Sequence, residues 1–459
     1  MDILLAHGYF LNEDPKERRI MRPYPPLGLL YLSSHLKARG FDVGVFDATF
    51  QRREEFSELI RREGVPAVGL SCNLMTKGSV LKMMQEAREA GAFVVAGGPD
   101  PPYYAEEYLV HGADAVVVGE GERTLEELLP CVLRKGKADL AHIQGLVYRD
   151  DRGRVVRTPA RELIEDLDGQ PFPDRAAVDI GQYLRAWRGR HGVGSVSLIC
   201  SRGCPYTCAW CSRSVFGETH RRRSPRHVAD EVERIVQDYR PDLLWYADDV
   251  FTIHHRWLFD YANELKQRGL CVPFECISRA DRLNEGIVRA LADMGCMRVW
   301  IGSESGSQRV LDAMDRRVTV AQVREMTRLL RRYGIQTGMF IMLGYEGEEM
   351  EDLEATVDHL KQSDPDLFLT TVAYPIKGTP YYDRVEGRIV ARGAWTDRTD
   401  RDLEVAGRRS RRFYAFAARW MQGEVAVHRQ LRNPRRSVLH LAKGFVNAKV
   451  GRIGMRLTL

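Results

Sequence analysis

Three cysteines, Cys204, Cys208 and Cys211, follow an apolar segment typical of a strand, with three residues between the first two and two between the last two. A 4Fe–4S cluster is normally held by four thiolates, so a loop that offers three leaves one iron open to bind and activate another molecule. The spacing predicts a redox cluster in which these thiolates are metal ligands and part of the catalytic centre. A structural zinc site completed by His220 or His227 is the alternative, but no second cysteine pair follows at the usual spacing.

The segment from Cys204 to Cys211 reads Cys-Pro-Tyr-Thr-Cys-Ala-Trp-Cys. It resembles the cluster loop of radical S-adenosylmethionine (radical SAM) enzymes. In that family the open iron binds the amino and carboxylate groups of SAM, and one electron from the cluster splits SAM to a 5′-deoxyadenosyl radical. The resemblance implies a 4Fe–4S cluster and SAM as cofactors, with the backbone of Trp210 against the adenine. It also implies an electron donor such as flavodoxin or ferredoxin.

Between residues 195 and 390, six apolar segments alternate with helix-like stretches, near 196–200, 243–247, 274–278, 299–302, 338–343 and 367–373. Six such units predict a partial (βα)6 barrel of the TIM type, and catalytic groups of these barrels lie at the carboxyl ends of the strands. Polar residues and a glycine follow the predicted strands at these ends: Asp248, Asp249, Arg279, Glu304 and Gly344.

By the radical SAM resemblance, these five residues belong to the SAM-binding site. Asp248 and Asp249 lie where the family contacts the amino group of SAM. Arg279 lies where the family meets the carboxylate, and Glu304 where it binds the ribose hydroxyls. These assignments are chemically sensible because a carboxylate accepts hydrogen bonds from hydroxyls and an arginine fork pairs with a carboxylate. The alternative for each charged residue is a salt bridge or a helix cap at the barrel rim.

The first 150 residues contain five short apolar segments, at 3–6, 43–46, 67–71, 93–96 and 115–118, separated by helix-like stretches. This alternation predicts a parallel sheet covered on both faces, a doubly wound α/β domain of the Rossmann or flavodoxin type. Ligands of such sheets bind beyond the carboxyl ends of the strands. Small and polar residues follow there: Asp47, Ser71, Asn73, Gly97, Gly98, Gly119 and Glu120. The Gly-x-Gly follows the last strand instead of the first, which argues against a nicotinamide cofactor.

This pattern, with Pro-Pro-Leu-Gly-Leu ahead of the first long helix, resembles the cobalamin-binding domain that is fused to some radical SAM domains. The resemblance implies that the nucleotide tail of cobalamin passes Gly97 and Gly98, and that the loop with Ser71 and Asn73 faces the lower side of the corrin. Gly119 and Glu120 belong to the same expected site. Residues 48–50 lack the histidine of the Asp-x-His-x-x-Gly motif, so no lower cobalt ligand is expected there. A degenerate Rossmann-like domain without cofactor is the alternative.

We expect four regions: a cobalamin-binding domain over residues 1–150, a linker over 151–194, the radical SAM barrel over 195–390 and a basic helical region over 391–459. The 44% hydrophobic content of the 459 residues is ample for ordinary cores. No apolar run reaches about 18 residues and the amino terminus has no basic segment, which predicts neither a membrane span nor a signal peptide. Nine scattered cysteines fit a reducing compartment. We therefore expect a cytoplasmic protein.

The last 53 residues, from Gly407 on, contain 13 Lys or Arg and one acidic residue, although the whole chain has a net charge of +5. Aromatic residues are interleaved with these charges. The favoured interpretation is a helical appendage that covers the barrel mouth and keeps a basic face in solvent. Peripheral contact with the inner face of the membrane is the second interpretation. A nucleic-acid patch is the least favoured.

Together these features predict a cobalamin-dependent radical SAM methyltransferase. In the mechanism that the resemblance implies, 5′-deoxyadenosyl removes a hydrogen atom from an unactivated carbon of a small-molecule or lipid substrate, and methylcobalamin supplies the methyl group. An oxidative cyclase or rearrangement enzyme with the same cofactors is the alternative. A metal-stabilised binding or regulatory protein, which would not cleave SAM, is a third reading.

Overall fold

The computed structural model describes residues 1–134, 140–433 and 437–458. These residues form two compact units. The first comprises Met1–Pro205, Ser212–Trp245 and Arg392–Arg401, and the second comprises Tyr206–Cys211, Tyr246–Ala391 and Asp402–Leu459. Each unit is thus built from three separate stretches of the sequence.

Seven strands form the main sheet of the first unit: β1 (Ile3–His7), β2 (Val43–Phe46), β3 (Ala67–Ser71), β4 (Phe93–Gly97), β5 (Ala115–Val117), β6 (Leu146–Arg149) and β7 (Val155–Arg157). Their order across the sheet is β2-β1-β3-β4-β5-β6-β7. The first five pair in parallel, with Leu4 opposite both Gly44 and Val68. The 2-1-3-4-5 order is that of flavodoxin-like folds. The additional strands β6 and β7 pair antiparallel at the edge.

Side chains of the parallel strands alternate between two separate hydrophobic cores, one on each face of the sheet. In β1, Leu4 and Ala6 belong to one core and Ile3 and Leu5 to the other. The helices in this part of the chain are α1 (Pro15–Ile20), α2 (Leu27–Ala38), α3 (Arg53–Glu63), α4 (Lys77–Glu89), α5 (Ala105–Val110) and α6 (Glu122–Leu133). Helices α3, α4 and α5 supply the first core, and α2 and α6 the second. The prediction of a parallel sheet covered on both faces is confirmed.

The stretch predicted as a linker, residues 151–194, contains β7 and a 12-residue helix, α7 (Ile180–His191). Helix α7 starts after Asp179, whose side chain accepts a hydrogen bond from the backbone N–H of Gln182, and it ends at Gly192 in a left-handed conformation. Its buried face consists of Ile180, Tyr183, Leu184 and Trp187, which have helical spacing.

The first unit also includes the chain on either side of the cysteine loop. Its elements are β8 (Ser195–Leu198), β9 (Ser201–Arg202), β10 (Arg221–Arg222), α8 (Pro225–Tyr239) and β11 (Leu243–Tyr246), the last residue of which belongs to the second unit. Strands β9 and β10 form a short antiparallel hairpin, with Arg202 opposite Arg221. The two ends of the loop that carries the three cysteines are therefore held together by the pairing of β9 with β10.

Strands and helices continue to alternate in the second unit. Its elements up to residue 405 are α9 (His255–Gln267), β12 (Phe274–Ser278), α10 (Glu285–Asp293), β13 (Cys296–Glu304), α11 (Gln308–Ala313), α12 (Val320–Arg332), β14 (Gln336–Leu343), α13 (Met350–Ser363), β15 (Leu367–Val372), α14 (Pro380–Val385), β16 (Ile389–Val390) and β17 (Glu404–Val405). Strands β12 to β15 pair in parallel in sequence order, with Ile301 opposite Ser278 and Met339. Their carboxyl ends therefore meet at one edge, as the sequence predicted.

The carboxyl-terminal region is helical, as predicted, and consists of α15 (Arg411–Arg432) and α16 (Val438–Leu457). Glycines allow the two helices to approach closely, since a Cβ on Gly451 would lie 2.4 Å from the backbone N of Trp420. A Cβ on Gly454 would lie 2.3 Å from the ring of Phe416. Within the ranges that the structure describes, no helix is both long and apolar enough to cross a membrane.

A short segment from the far end of the chain, Arg392–Arg401, belongs to the first unit. Its Trp395 packs edge-on against the ring of Tyr108, with 5.1 Å between the ring centroids. The Nζ of Lys77 lies 3.8 Å from the centroid of the Trp395 indole. Asp400 accepts a hydrogen bond from the hydroxyl of Tyr104. This return of the chain completes the core around α4 and α5.

Candidate active site

The part of the cysteine loop that belongs to the second unit, residues 206–211, is held by backbone hydrogen bonds. The N–H of Ala209 donates to the carbonyl of Met314 at 3.0 Å, and the carbonyl of Ala209 accepts from the N–H of Tyr381 at 2.8 Å. The hydroxyl of Thr207 donates to the carboxylate of Asp315 at 2.9 Å. The loop conformation is thus determined by the turn after α11 and by the start of α14.

Cys208 is the buried member of the cysteine triplet and receives two guanidinium hydrogen bonds. Arg316 donates from Nη1 to its Sγ at 3.3 Å, and Arg279 from Nη1 at 3.7 Å. Cys208 is 5% exposed, whereas Cys204 and Cys211 are partly exposed. Hydrogen bonds to cysteine sulfurs are among the interactions that tune iron–sulfur clusters. Arg279 and Arg316 therefore suit a sulfur that carries negative charge.

Arg316 is a functional candidate that the sequence analysis missed. Its guanidinium lies against the backbone of Gly302, donating from Nη2 to the carbonyl at 2.9 Å. Nη2 also lies 3.7 Å from Oε1 of Glu304. A Cβ on Gly302 would be 2.1 Å from Nη2 of Arg316, so only glycine leaves room for this side chain. The glycine before the Ser-Glu-Ser segment is the one sequence signal that points to this close approach.

Arg279, predicted to meet the SAM carboxylate, is fully buried and already makes several polar contacts. Its Nε donates to Asp281 at 2.8 Å and its Nη2 donates to the carbonyl of Arg316 at 2.7 Å. The guanidinium lies over the ring of Tyr206, 3.7 Å from the centroid. These contacts fix its position beside Cys208. The SAM-carboxylate role stays a prediction.

Glu304, predicted to bind the ribose, ends β13 in a strained conformation. Its φ is +59°, in the left-handed region that non-glycine residues avoid, and the register between β13 and β14 shifts at this point. Burial raises the pKa of the carboxyl, and the charges of Arg316 and Arg279 oppose that shift. The strain and the desolvation are tolerated at the strand end where the sequence predicted a cofactor contact.

Asp248 and Asp249 follow β11, as predicted. The Asp248 side chain is buried, whereas Asp249 reaches solvent. Desolvation by the surrounding protein and the charge of Asp248 together raise the pKa of Asp249. Neighbouring carboxylates of this kind attract a cationic group, and their expected partner is the SAM ammonium.

Gly344, at the end of β14, has a positive φ and is enclosed by polar and aromatic contacts. Its N–H donates to Oε2 of Glu348 at 2.6 Å, and its carbonyl accepts from Nη1 of Arg408 at 3.2 Å. A Cβ here would lie 2.6 Å from the ring of Tyr414. Burial raises the pKa of Glu348 to about 8, so this carboxyl is mostly protonated at neutral pH. Gly344 is thus needed for packing, and its role in a cofactor site stays a prediction.

Trp210 packs beside a hydrophobic cluster of the second unit that includes Met342, Tyr345, Ala373 and Tyr381. Its indole Nε1 is buried and has no hydrogen-bond partner among the described residues. Unpaired buried donors are costly, so a polar partner is expected beside this ring. An adenosyl group would supply polar atoms, and Trp210 therefore fits the SAM site that the cluster motif implies.

In the first unit, the predicted cobalamin contacts differ in how much space surrounds them. Gly98 has a φ of +100°, and a Cβ there would lie 2.6 Å from the carbonyl oxygen of Cys72. A Cβ on Gly97 would meet nothing closer than Val117 at 3.8 Å, and one on Gly119 only the carbonyl of Val215 at 3.8 Å. A Cβ would thus fit at Gly97 and at Gly119 in ordinary van der Waals contact, whereas at Gly98 it would collide with the backbone.

The loop after β3 is organised by its own polar groups. The side chain of Asn73 accepts hydrogen bonds from the N–H groups of Met75 and Thr76 at 2.8 and 3.1 Å. Ser71 is half-buried next to Gly98, and Asn73 is exposed. Burial raises the pKa of Cys72 to about 12, so its side chain is a thiol. A metal ligand would have to be the thiolate, so Cys72 does not suit a cobalt ligand.

Glu120 is committed to protein contacts. Its carboxylate accepts hydrogen bonds from Arg202 at 2.6 Å, from Arg221 at 2.8 Å and from the N–H of Ile164 at 2.7 Å. Burial would raise its pKa, but the hydrogen bonds from Arg221 and Arg202 lower it overall. Glu120 thus joins the base of the cysteine loop to the segment near Ile164. These bonds do not support a cofactor contact for its carboxylate, which stays a prediction only.

Asp47, which follows β2, also has protein partners. Its carboxylate accepts from the hydroxyl of Tyr183 at 2.8 Å and lies 3.0 Å from Nε2 of His7. Burial acts to raise the pKa of Asp47, but the hydrogen bonds from His7, Tyr183 and Thr49 lower it overall. Asp47 thus links His7 at the end of β1 to Tyr183 in α7.

None of the nine cysteines, all of which the structure describes, forms a disulfide bond. In the part of the chain that the structure describes, no three His, Cys, Asp or Glu side chains already form a group that could hold a metal ion. The fit to a cluster therefore rests on the donor chemistry: three cysteines on one loop, one of them hydrogen-bonded by Arg279 and Arg316. These residues fit a 4Fe–4S cluster with an open iron.

Comparison with known proteins identifies two domain families in this chain. Residues 20–129 match the model of the B12 binding domain, and residues 198–360 match that of the Radical SAM superfamily. An uncharacterized methyltransferase of Pyrococcus horikoshii is 30% identical over 367 residues, which cover 78% of this chain and 78% of that protein. The anaerobic magnesium-protoporphyrin IX monomethyl ester cyclase of Rubrivivax gelatinosus is 29% identical over 75% of this chain. The match spans 63% of the cyclase, less than two thirds of its length.

Solved structures share the fold. A radical SAM methyltransferase, TsrM from Kitasatospora setae, with tryptophan substrate and a SAM analogue bound, aligns with a TM-score of 0.69 and 22% identity, over 85% of this chain and 77% of that one. The cobalamin-dependent radical SAM enzyme OxsB, with aqua-cobalamin and SAM bound, aligns with a TM-score of 0.76 and 18% identity, over 99% and 72%. The cofactors of the protein described here are therefore a 4Fe–4S cluster, SAM and cobalamin. The chain belongs to the family of cobalamin-dependent radical SAM methyltransferases.

Proposed function

We propose that this enzyme transfers a methyl group to an unactivated carbon of a small-molecule or lipid substrate. The single observation that carries the proposal is the presence in one chain of a B12 binding segment and a Radical SAM segment. When bound, the cluster and SAM supply a hydrogen-abstracting radical and cobalamin supplies the methyl group. Polar chemistry does not readily replace hydrogen at such a carbon, which is why two cofactors are needed.

In this proposal, Cys204, Cys208 and Cys211 hold the cluster. Arg279 and Arg316 are positioning residues that orient Cys208 and balance the charge on its sulfur, supported by their hydrogen bonds to Sγ. Their burial excludes water from this side of the loop. The sulfur therefore keeps these two donors in a low-dielectric environment, where each hydrogen bond is stronger than in water.

The SAM-binding residues are proposed to be Asp248, Asp249, Glu304, Trp210 and Gly344. The carboxylates of the two aspartates attract the ammonium group of SAM. Glu304 accepts hydrogen bonds from the ribose hydroxyls through its carboxylate oxygens. The backbone of Trp210 holds the adenine, and Gly344 keeps the end of β14 close to it. Arg279 is proposed to contact the carboxylate of SAM.

The cobalamin contacts are proposed to be Gly97, Gly98, Gly119, Ser71 and Asn73. The position of these residues at the carboxyl ends of β3, β4 and β5 supports passage of the nucleotide tail, because ligands of such sheets bind there. Asn73 keeps the loop after β3 in shape through its bonds to the start of α4. Because Cys72 is a thiol and residues 48–50 contain no histidine, we propose that cobalt receives no side-chain ligand from these segments.

A cyclase or rearrangement enzyme without methyl transfer is the second candidate function. It is favoured by the 29% identity to the Rubrivivax gelatinosus cyclase over 357 residues. Both candidates use the same cofactors, so they differ in the product and in the fate of the methyl group of SAM.

The electron donor is proposed to be a flavodoxin or a ferredoxin, and the location to be the cytoplasm. We also propose that the region 391–459 contacts the inner face of the membrane. This last proposal is supported by the 13 basic residues after Gly407 and by exposed apolar side chains on α16.

The function is tested on anaerobically purified protein with reconstituted cluster and added hydroxocobalamin. The ultraviolet–visible spectrum reports retained cobalamin, and 5′-deoxyadenosine and S-adenosylhomocysteine are measured from SAM under reductant. Both products with retained cobalamin are expected of the methyltransferase. 5′-Deoxyadenosine without S-adenosylhomocysteine would point to the cyclase or rearrangement. Loss of the corrin on gel filtration would contradict the cobalamin proposal.

A further inference from the structure

Helix α16 exposes large apolar side chains along the face that points away from α15. Phe445 is 47% exposed, Val446 and Ile453 are each 56% exposed, and Leu439 and Leu457 are more exposed still. The opposite face, with Gly444, Ala448, Gly451 and Met455, is buried. The exposed side chains recur at helical spacing, so they form one stripe along the helix. We call Val438, Leu439, Phe445, Val446, Ile453 and Leu457 the apolar stripe.

Basic residues flank the apolar stripe. Lys443, Lys449 and Arg456 are exposed on the same helix, and α16 contains no acidic residue. Arg452 is paired with Glu354 at 2.6 Å and lies 4.9 Å from the centroid of the Trp420 ring, so it is committed to the protein. The exposed positive charges of Lys443, Lys449 and Arg456 therefore lie beside the apolar stripe.

An apolar helix face bordered by lysine and arginine matches the interface of a membrane with anionic lipids. Such helices lie in the plane of the interface, with apolar side chains at the boundary between headgroups and acyl chains. The flanking charges are attracted to anionic headgroups within about one Debye length of the surface, roughly 8 Å at physiological salt. A water-facing helix of a soluble enzyme would carry polar residues at these positions.

From this match we infer that α16 is a peripheral membrane anchor that binds anionic lipid surfaces through the apolar stripe, with Lys443, Lys449 and Arg456 contacting the headgroups. The glycine contacts with α15 hold the helix rigidly against the protein, so the stripe is presented without a folding step. This inference rests on the proposed membrane contact of region 391–459 and names its helix, its side chains and its lipid class.

The test is cosedimentation of the full-length protein with two kinds of vesicle. The neutral vesicles contain phosphatidylcholine alone, and the anionic vesicles contain phosphatidylcholine with about 30% phosphatidylglycerol. We expect binding to the anionic vesicles that weakens in high salt, and little binding to the neutral ones. A triple variant, Phe445→Ser, Val446→Ser and Ile453→Ser, is expected to bind the anionic vesicles about tenfold more weakly. The variant Lys443→Gln, Lys449→Gln and Arg456→Gln is expected to lose the salt dependence.

The matched control replaces three exposed apolar residues elsewhere, Ile20→Ser, Val110→Ser and Phe259→Ser, and is expected to bind as the wild type does. The thermal unfolding midpoint shows that each variant is folded. 5′-Deoxyadenosine formation is measured on the same preparations, so loss of lipid binding with intact SAM cleavage concerns the anchor alone.

Three results would overturn the inference. The first is the absence of binding to anionic vesicles, or equal binding by the stripe variant. The second is a concentration-dependent dimer, abolished by the stripe variant, in a protein that does not bind vesicles, which would assign the stripe to a second copy. The third is tight binding to duplex or single-stranded nucleic acid without vesicle binding, which would assign the basic residues to that partner.

Discussion

Arg316 and Cys208, 108 positions apart in the sequence, are joined by a hydrogen bond of 3.3 Å from Nη1 to Sγ. Because Gly302 has no side chain, the guanidinium of Arg316 can lie against the backbone of β13 while it reaches the sulfur. The loop that carries the cysteines is thus coupled to the strand that carries Glu304. From this relationship we expect Arg316 to tune the reduction potential of a cluster held by the loop.

Replacing Arg316 by Gln is expected to lower the reduction potential of the reconstituted cluster. A positive donor beside a thiolate favours the more negative, reduced cluster. A hydrogen bond to a charged group contributes about 1.5–3 kcal/mol, so we expect a shift of roughly 65–130 mV at about 59 mV per tenfold change. The midpoint is measured by redox titration followed by electron paramagnetic resonance. Arg316→Lys should recover part of the shift.

The matched control for that measurement is Arg331→Gln. Arg331 is exposed near the end of α12, and its Nη2 donates to the carbonyl of Ser363 at 3.2 Å. Its replacement is expected to leave the midpoint unchanged. Equal midpoints in the Arg316 variant and the wild type, at equal iron content, would show that the hydrogen bond does not tune the cluster.

Gly97 and Gly98 are expected to respond differently to alanine. Gly98→Ala places a Cβ 2.6 Å from the carbonyl oxygen of Cys72 at a φ of +100°, so it should destabilise the protein by roughly 1–3 kcal/mol even without cofactor. Gly97→Ala meets nothing closer than 3.8 Å and should leave the apoprotein stability unchanged while it reduces the cobalamin retained on gel filtration. Full retention by a folded Gly97→Ala or Gly97→Val variant would place the nucleotide tail elsewhere.

The raised pKa of Glu348 predicts that the free energy of unfolding depends on pH. Its pKa is raised by burial from 4.5 to about 8, so the folded state holds a proton that the unfolded state releases. Stability should therefore fall as pH rises from the unfolded value toward about 8, by up to roughly 1.4 kcal/mol per pH unit. Glu348→Gln keeps the neutral shape and removes the titration. Thermal midpoints measured from pH 5.5 to 8.5 should fall more steeply for the wild type, and parallel curves would contradict the shift.

Substitution of Gly451 tests whether α15 and α16 pack as closely as the structure shows. A Cβ there would lie 2.4 Å from the backbone N of Trp420, so Gly451→Ala must push the helices apart, at a cost of about 1–3 kcal/mol. Gly189→Ala in α7 is the matched control, because a Cβ there meets nothing within 4 Å and alanine is the better helix former by about 1 kcal/mol. The thermal midpoint should fall for the first variant and stay level or rise for the second. A reversed order would contradict this helix packing.

The elements that sequence patterns predicted well are those whose signal is local. The strand bounds 43–46, 67–71 and 274–278 match the structure because each apolar run is bounded by turn or polar residues. The cysteine loop is likewise predicted from a local signal, the spacing of its cysteines and the residues between them. Helix α7 was missed although Ile180, Tyr183, Leu184 and Trp187 have helical spacing, because the preceding prolines and aspartates indicated a connector.

The features that could not be predicted depend on distant parts of the chain. Arg316 lies in a charged stretch, Asp-Arg-Arg, that is typical of an exposed turn, and its burial requires the space left by Gly302. The carboxylate of Glu120 was available to a ligand on sequence grounds, but Arg202 and Arg221 occupy it across 82 and 101 positions. Pairings at that separation leave no periodic signature in a single sequence.

The return of residues 392–401 to the first unit, with Trp395 over Lys77 and Tyr108, has a consequence for dissecting this enzyme. A fragment that stops before Arg392 would leave a buried ammonium and an aromatic core face in water, so the corrin-binding half cannot be prepared intact from the amino-terminal sequence alone. The two units are interlaced along the polypeptide, so gene fusion or domain exchange would have to keep all three stretches of each unit together.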